Sequence, residues 1–495
     1  MKNSKFKIVG FAAIYCILHF ALCIFAIAQE VPPAPGVPKA VTVPAVQEKK
    51  LANGLTVAVV QKSQVPLVTI NLLIRAGASG EDAAKAGLAD MTASMLTKGT
   101  KTRTATQIAE AIEFLGGSIS SGAGWNASYI SVTVTSDKVA QAMAILADVV
   151  LNPKFDQKEI DLLRSQSLDG LTYSLKQPSF LANYVASKYS FKEHPVGGTP
   201  ASIGLISRAD ILKFQKDNYN PANSVLVFAG DISAATSSAL AAKYFSTWRN
   251  PKHTVKEMRL DRITKLGSSD TSGPRPVVNR FLVIDLPNSG QASVVYAQSI
   301  PDIGRSDARY FPASVLNSVL GGGYSSRLNQ EIRIKRGLSY GAGSSFEWRS
   351  WKANFATQTQ TKNESAAEVT ELVIDELRKL STTATAESEL IPRKSGLTGP
   401  FGLSLETTGG LAGEIGELYG FGIPSTELNS YVANINGVTN AQIKDFALGN
   451  LLGGDIVIVG DYSIFKADLA KRFPKMTVEV IKADDLDLSK DNLRK

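Results

Sequence analysis

Ser224-Val225-Leu226-Val227-Phe228-Ala229-Gly230-Asp231 is an apolar run that stops at Gly-Asp, and the chain repeats it as Asp455-Ile456-Val457-Ile458-Val459-Gly460-Asp461. A helix-like stretch beginning Arg208-Ala209-Asp210-Ile211 leads into the first copy, and Ala239 to Phe245 follows it. Asn440-Ala441-Gln442-Ile443 leads into the second, and Ala467 to Phe473 follows. Both copies read as helix, buried strand, Gly-Asp, helix. The two Gly-Asp pairs lie about 230 residues apart, the spacing of two tandem domains of ordinary size. Between them, Leu266-Gly267-Ser268-Ser269-Asp270-Thr271-Ser272-Gly273-Pro274 is polar, glycine-rich and ends in proline, which predicts a linker over 266–276 between a domain at 49–265 and a second at 277–480. A polar tail follows at 481–495. Within the first domain, Leu55–Val60, Val68–Ile74 and Ser128–Val134 read as strands, and residues 83–97 and 105–115 as helices. The order shows no strict βαβ alternation.

The chain has 495 residues, 44% hydrophobic and 20% charged, an ordinary globular composition with length for more than one core. Lys2, Lys5 and Lys7 precede an apolar stretch from Ile8, and Ala26-Ile27-Ala28 stands before Gln29, which predicts an export signal over 1–28 with a small-residue cleavage site. An uncleaved anchor is the alternative, because the apolar stretch approaches the ~20 residues of a membrane span. Both cysteines, Cys16 and Cys23, fall in this segment, so the exported chain carries no thiol or disulfide. Cleavage removes three lysines and no acid, which lowers the net charge from +8 to +5. The basic residues are scattered and form no basic, aromatic-interleaved motif, which argues against a nucleic-acid partner. A proline- and alanine-rich tether is expected over 29–48.

Gly87-Leu88-Ala89-Asp90-Met91-Thr92-Ala93-Ser94-Met95-Leu96-Thr97-Lys98-Gly99-Thr100 carries little chemistry in itself, but its flanks resemble the inverted zinc-motif helix of the pitrilysin/insulinase family. In that family His-x-x-Glu-His sits between such flanks, with two imidazoles on one helical face to hold zinc and a glutamate general base. Here Asp90, Ala93 and Ser94 take those places. Leu115-Gly116-Gly117, His194-Pro195-Val196-Gly197, Asn220-Pro221-Ala222-Asn223 and Gly230-Asp231 also fit the family's first domain. Leu320-Gly321-Gly322-Gly323-Tyr324-Ser325-Ser326-Arg327-Leu328 through Arg336-Gly337-Leu338-Ser339-Tyr340 fits its second domain, and is the most specific match in the chain.

The resemblance, to the mitochondrial-processing-peptidase-like branch, covers about Leu51 to Phe473. It implies two tandem homologous α+β domains, each with helices packed on an antiparallel sheet, closing like a clam around unfolded peptide. It implies that Gln166 stands about where the family places a third zinc ligand, a glutamate, so this chain binds no metal. It implies that Arg336 and Tyr340, four apart at a helix end, bind substrate and stabilise an oxyanion, both being hydrogen-bond donors suited to a carbonyl gaining charge. It also implies that Gly117, Ser121 and Asn126 belong to a strand edge that receives extended peptide through backbone hydrogen bonds. The implied function is the zinc-less subunit of an exported heterodimeric peptidase, with zinc in a homologous partner subunit. A non-catalytic peptide-binding or scaffold protein is the alternative.

Other sites are weaker. His194 in a Gly/Pro loop and His253 beside the linker read as surface residues, and without cysteine the exported chain has little to build a zinc site from. Gly337-Leu338-Ser339-Tyr340-Gly341 satisfies a serine-hydrolase pattern, but a helix-like run precedes it and no histidine follows, so Ser339 reads as a spacer. Gly321-Gly322-Gly323 lacks the Gly-Lys-Ser/Thr of a phosphate loop and reads as a hinge or a close helix approach.

Overall fold

The computed structural model describes residues 43–249 and 276–495. The expected signal, nearly all of the tether, the linker up to residue 275 and His253 lie outside the described residues.

In the first half the elements run β1 (Gln47–Lys50), β2 (Thr56–Gln61), β3 (Leu67–Ile74), α1 (Leu88–Met95), α2 (Ala105–Phe114), β4 (Ser118–Ala123), β5 (Ser128–Thr135) and α3 (Val139–Leu151). They continue as α4 (Gln157–Ser174), α5 (Pro178–Tyr189), α6 (Pro200–Leu205), α7 (Arg208–Asn218), β6 (Ser224–Gly230) and α8 (Ala234–Phe245). The second half repeats the plan with β7 (Val278–Asp285), β8 (Ala292–Pro301), α9 (Tyr310–Leu320), a π-helical turn (Asn329–Ile334), β9 (Ala342–Trp348) and β10 (Lys352–Thr361). Then come α10 (Ala366–Thr382), α11 (Glu387–Ser404), α12 (Thr408–Gly420), α13 (Glu427–Gly437), α14 (Asn440–Asn450), β11 (Gly454–Gly460), α15 (Tyr462–Arg472) and β12 (Val478–Lys482).

The orders β2-β6-β3-β5-β4 and β7-β11-β8-β10-β9 are one topology used twice, and the sixth strand differs: β1, first in its half, pairs antiparallel with β2, whereas β12, last in its half, pairs parallel with β7. The expected antiparallel sheets are antiparallel for the most part, but β2 runs parallel to β6, and β7 parallel to both β11 and β12. The last central strand of each half returns from a helix rather than from a hairpin, so it can enter beside the first strand in the same direction.

Each sheet is covered on both faces, which explains the unbroken apolar runs of β6 and β11: every residue of both strands is buried. One face carries that half's own helices. The other is covered by exchange. From the first half, α5 lays Leu181, Val185 and Ala186 on Leu282, Val295 and Val457 of the second sheet, while α12 lays Leu411, Ala412 and Ile415 on Ala58, Val225 and Val227 of the first. Parting the halves would return both apolar faces to water at ~25 cal/mol for each Å² exposed. The halves are therefore interlocked, and a clam-like opening within one chain, as the resemblance implied, is not how they are joined.

The glycine of each Gly-Asp pair has a packing reason. Gly230 has φ +130°, and a Cβ there would lie 2.1 Å from the Leu67 carbonyl oxygen. At the boundaries the structure departs from expectation. Gln47 and Glu48, placed in the tether, belong with Lys49 and Lys50 to an exposed edge strand on β2; charged edge strands carry no apolar signature. In the expected polar tail, Leu488 and Leu493 are buried in the cluster that α5 forms with the second sheet.

Candidate functional site

Helix α1 begins at Gly87, which has φ +94°, and its first turn is capped from a distance. Glu81 accepts hydrogen bonds from the backbone N–H groups of Gly87 (2.9 Å) and Ala89 (2.7 Å), two of the donors a helix start leaves unpaired. Burial pushes the Glu81 carboxyl up to about 7, with Asp90 nearby adding to the rise and the Ala89 and Gly87 amides opposing it. Asp90 is raised for the same reason, burial, which outweighs its hydrogen bond from the Ala123 N–H (3.4 Å).

The donor set does not fit zinc. Ala93 has no ligating atom and is 0% exposed; Ser94 is a half-buried hydroxyl, and Gln166 is exposed on α4. Among the described residues no three His, Cys, Asp or Glu side chains are grouped to hold a metal. His194 is not the surface residue expected. Its ring is largely buried, 5.1 Å from the Trp125 ring and with Nδ1 3.5 Å from Glu81, and burial pushes its pKa down. A Gly/Pro loop looks exposed in sequence, but this one is folded between the β4–β5 hairpin and the turn that caps α1.

Strand β4 ends the first sheet. Gly124 donates to the Ala127 carbonyl across the hairpin tip, so the register Ser118↔Thr133 to Ala123↔Ser128 turns the backbone groups of Ser118, Ser120 and Gly122 toward β5. Those of Ile119, Ser121 and Ala123 point off the edge. Only Ala123 has a partner there, Asp90; among the described residues the outward groups of Ile119 and Ser121 have none. The homologous edge of β9 is different. Ala342 N–H is taken by Asn329, Ser344 N–H by the Gly321 carbonyl, and the Trp348 carbonyl by Asn126. Gly321 serves that closure: a Cβ there would lie 2.2 Å from the Ser344 nitrogen, so the glycine run is a close approach.

The three residues expected to touch substrate therefore separate. Ser121 lies on the open edge. Gly117 donates to Ile112 and has room for no side chain, since a Cβ would meet the Thr133 carbonyl at 2.5 Å. Asn126 spans to the second half through Trp348 at 3.4 Å.

That crossing is part of a buried network the sequence did not reveal. Glu193, 6% exposed, accepts from Arg349 (3.0 Å), Lys352 (2.7 Å) and Asn354 (2.8 Å), three donors on or beside the β9–β10 hairpin. Burial pushes the Glu193 carboxyl up, but Arg349 and Lys352 outweigh it and hold the pKa below the usual carboxylate range. The Arg349 guanidinium lies 4.9 Å from the Trp125 ring centre, so the tips of both hairpins and the loop after α5 meet at one point. An Arg-Ser-Trp-Lys turn and a Glu-His pair far apart in sequence carry no local sign of this.

Arg336 and Tyr340 do not share a helical face. The π-helical turn ends at Ile334, and Gly337 with φ +65° redirects the chain between them. Arg336 donates to the Glu331 carboxylate (2.7 Å) and carbonyl (2.9 Å), with Glu368 at 3.9 Å, so its partners are all in the second half. Tyr340 is 90% exposed. Ser339 accepts from Gly341 N–H and donates to its carbonyl, a turn-closing role that fits a spacer. Elsewhere a cavity of about 400 Å³ bounded by Arg305, Phe401, Glu414 and Tyr431 includes none of these residues.

Residues 56–188 match the family described as insulinase (peptidase family M16), and residues 205–390 match the peptidase M16 inactive domain. Similar curated proteins include an uncharacterized zinc protease of Rickettsia felis, 28% identical over 80% of this chain and 94% of its own length. One from Rickettsia bellii is 30% identical over 60% of this chain and 68% of its own length. Among solved structures, a peptidase M16 inactive domain from Pseudomonas fluorescens superimposes with a TM-score of 0.73 at 26% identity, covering 84% of this chain and 98% of that one. A protease from Helicobacter pylori has the same fold, with a TM-score of 0.75 at 18% identity, covering 85% and 100%.

Proposed function

The chain belongs to the insulinase (M16) peptidase family as a member without the zinc motif, and from that premise we propose that it is the metal-free subunit of an exported two-subunit peptidase. The observation that carries the reading is an asymmetry. Helix α1 carries none of the family's zinc ligands, yet on the adjacent β4 edge the outward backbone of Ile119 and Ser121 is unpaired among the described residues, as peptide docking by strand addition requires. Tyr340 stays exposed, free to meet a second molecule.

The interlocked halves favour a partner. A chain whose two sheets are each covered by a helix of the other half cannot swing shut on a peptide, so a closed chamber needs a second chain. The partner is a homologous zinc-bearing subunit, whose metal activates the attacking water. This chain docks the extended peptide on β4 and brings Arg336 and Tyr340 to the scissile carbonyl. Arg336 must exchange its pairing with Glu331 for the substrate, which is an accessible step for a half-exposed ion pair. Residues 1–28 direct export.

Co-purifying or mixing the chain with a homologous subunit that bears His-x-x-Glu-His tests the proposal. Zinc-dependent peptide hydrolysis is expected from the mixture, lowered roughly 100-fold by Arg336→Ala and measurably by Tyr340→Phe, the scale of losing one oxyanion donor. Undiminished hydrolysis in both variants refutes the catalytic role. The second reading is a peptide-binding or scaffold protein without hydrolysis, favoured by the intact Arg336–Glu331 pair. It predicts peptide binding by this chain and no rate gain in any mixture.

A further inference from the structure

The β4 edge is open at Ile119 and Ser121 and closed at Ala123, and what closes it is the first of the emptied zinc-motif positions. Along an edge strand every second residue presents both N–H and C=O outward, so Ile119, Ser121 and Ala123 are the three successive docking rungs of β4. A bound chain would use them in order. The third rung is occupied by Asp90, which reaches from α1 to accept the Ala123 N–H. Asp90 is itself half-buried and fixed on a helix whose other side chains, Ser94 excepted, are buried, so it is not a mobile surface group that an incoming peptide sweeps aside.

We propose that Asp90 is a positioning residue that ends the docking edge: an extended peptide pairs with Ile119 and Ser121 and is turned off the strand at Ala123. The inference rests on the reading of β4 as the peptide edge. Two open rungs span about 7 Å, long enough to hold the backbone of a tripeptide and too short to hold a strand. Asp90 thus does for β4, with one side chain, part of what Asn329, Gly321 and Asn126 do for β9. The second oxygen of Asp90 has no partner among the described residues and is available to the chain that turns away.

Residue-resolved hydrogen exchange on the whole protein, with and without an unstructured synthetic peptide of about a dozen residues, tests this. In the wild type, peptide is expected to slow exchange at Ile119 and Ser121 by about 10-fold and to leave Ala123 unchanged. In Asp90→Ala the Ala123 amide should exchange faster in the free protein and become protected when peptide is added, with affinity rising two- to tenfold, about one added hydrogen bond. Asp90→Asn keeps an acceptor and should behave as wild type, which separates the hydrogen bond from any loss of helix stability. Protection of Ile119 and Ser121 by peptide, with Ala123 indifferent to it in Asp90→Ala, overturns the positioning role alone. Absence of protection at Ile119 and Ser121 in every protein overturns edge docking and this role with it.

Discussion

Glu193→Ala should loosen the junction of the two halves about as much as truncating a large buried apolar side chain there. The carboxylate is 6% exposed and accepts from Arg349, Lys352 and Asn354. After its removal Arg349 keeps only Glu347, whose side chain is 61% exposed, while Lys352 keeps the Phe191 carbonyl. The Asn354 amide, 1% exposed, is left with no acceptor. Breaking a buried ion pair from one side costs ~3–5 kcal/mol, and an orphaned buried donor adds ~1–3 kcal/mol. Because Lys352 can reach water, a loss of about 4 kcal/mol is expected, a large share of the ~5–15 kcal/mol that holds a typical protein folded. Urea unfolding followed by tryptophan fluorescence reads this directly, since Trp125 stands against Arg349 and Trp348 receives Asn126. Replacing both partners, Glu193→Met with Arg349→Met, should recover part of the loss, because the Arg349 guanidinium is then no longer left without its buried carboxylate, while Lys352 and Asn354 still lose theirs. A single-variant loss under about 1 kcal/mol, or strictly additive losses in the pair, would refute the argument that this network bolts the halves together.

Three further outcomes follow from the site. Glu81 is raised from 4.5 to about 7 in the fold, so the native state holds a proton that the unfolded chain has already released. Its contribution is fully present below about pH 4.5 and is lost as pH rises to about 7, a decline of roughly 3 kcal/mol. Glu81→Gln should flatten that part of the melting-temperature profile, and an unchanged slope would reject Glu81 as its source. Glu193 has the opposite sign, stabilising above the ordinary carboxylate range and failing as pH falls, so acid unfolding should weaken in Glu193→Gln. Gly77→Ala should destabilise strongly, by about 2 kcal/mol or more, because its Cβ would lie 2.4–2.7 Å from the hairpin backbone at Gly124, Ala127 and Trp125. Thermal melting within a degree of wild type would show that the tip can move aside.

What was legible in the sequence is what depends on local pattern. The repeated helix, strand, Gly-Asp, helix unit is legible because two-sided burial forces an unbroken apolar strand, and because only glycine fits against Leu67 at Gly230. The loss of zinc ligands at Asp90, Ala93 and Ser94 is likewise a matter of residue type. The rest depends on which segments meet. Glu81 caps a helix six and eight residues away, outside the usual capping positions. Asn126 and Trp348 are 222 residues apart and meet only because the two halves pack against each other. The spacing of Arg336 and Tyr340 suggested one helical face, but spacing says nothing once a π-turn and Gly337 intervene. Leu488 and Leu493 sit among polar residues, and only the exchanged α5 gives them a surface to cover.

The asymmetry between the halves can now be put in physical terms. Five strands of each sheet share one topology, and in each half the first α-helix packs behind the edge strand, α1 behind β4 and α9 behind β9. In the second half that edge is closed at three points: Asn329 takes the Ala342 N–H, Gly321 the Ser344 N–H and Asn126 the Trp348 carbonyl, with Phe346 between them unpaired among the described residues. In the first half it is left open for two rungs, although an unpaired edge is a standing invitation to aggregation that folds normally suppress. If the first half were a relic kept only for packing, nothing would oppose sealing β4 as β9 is sealed. The open rungs lie next to Asp90, and the halves are locked by the helices they exchange, so this chain cannot close over the edge by itself. An edge kept open at a fixed place on a rigid half is what a second subunit needs if it brings the metal and this chain brings the substrate.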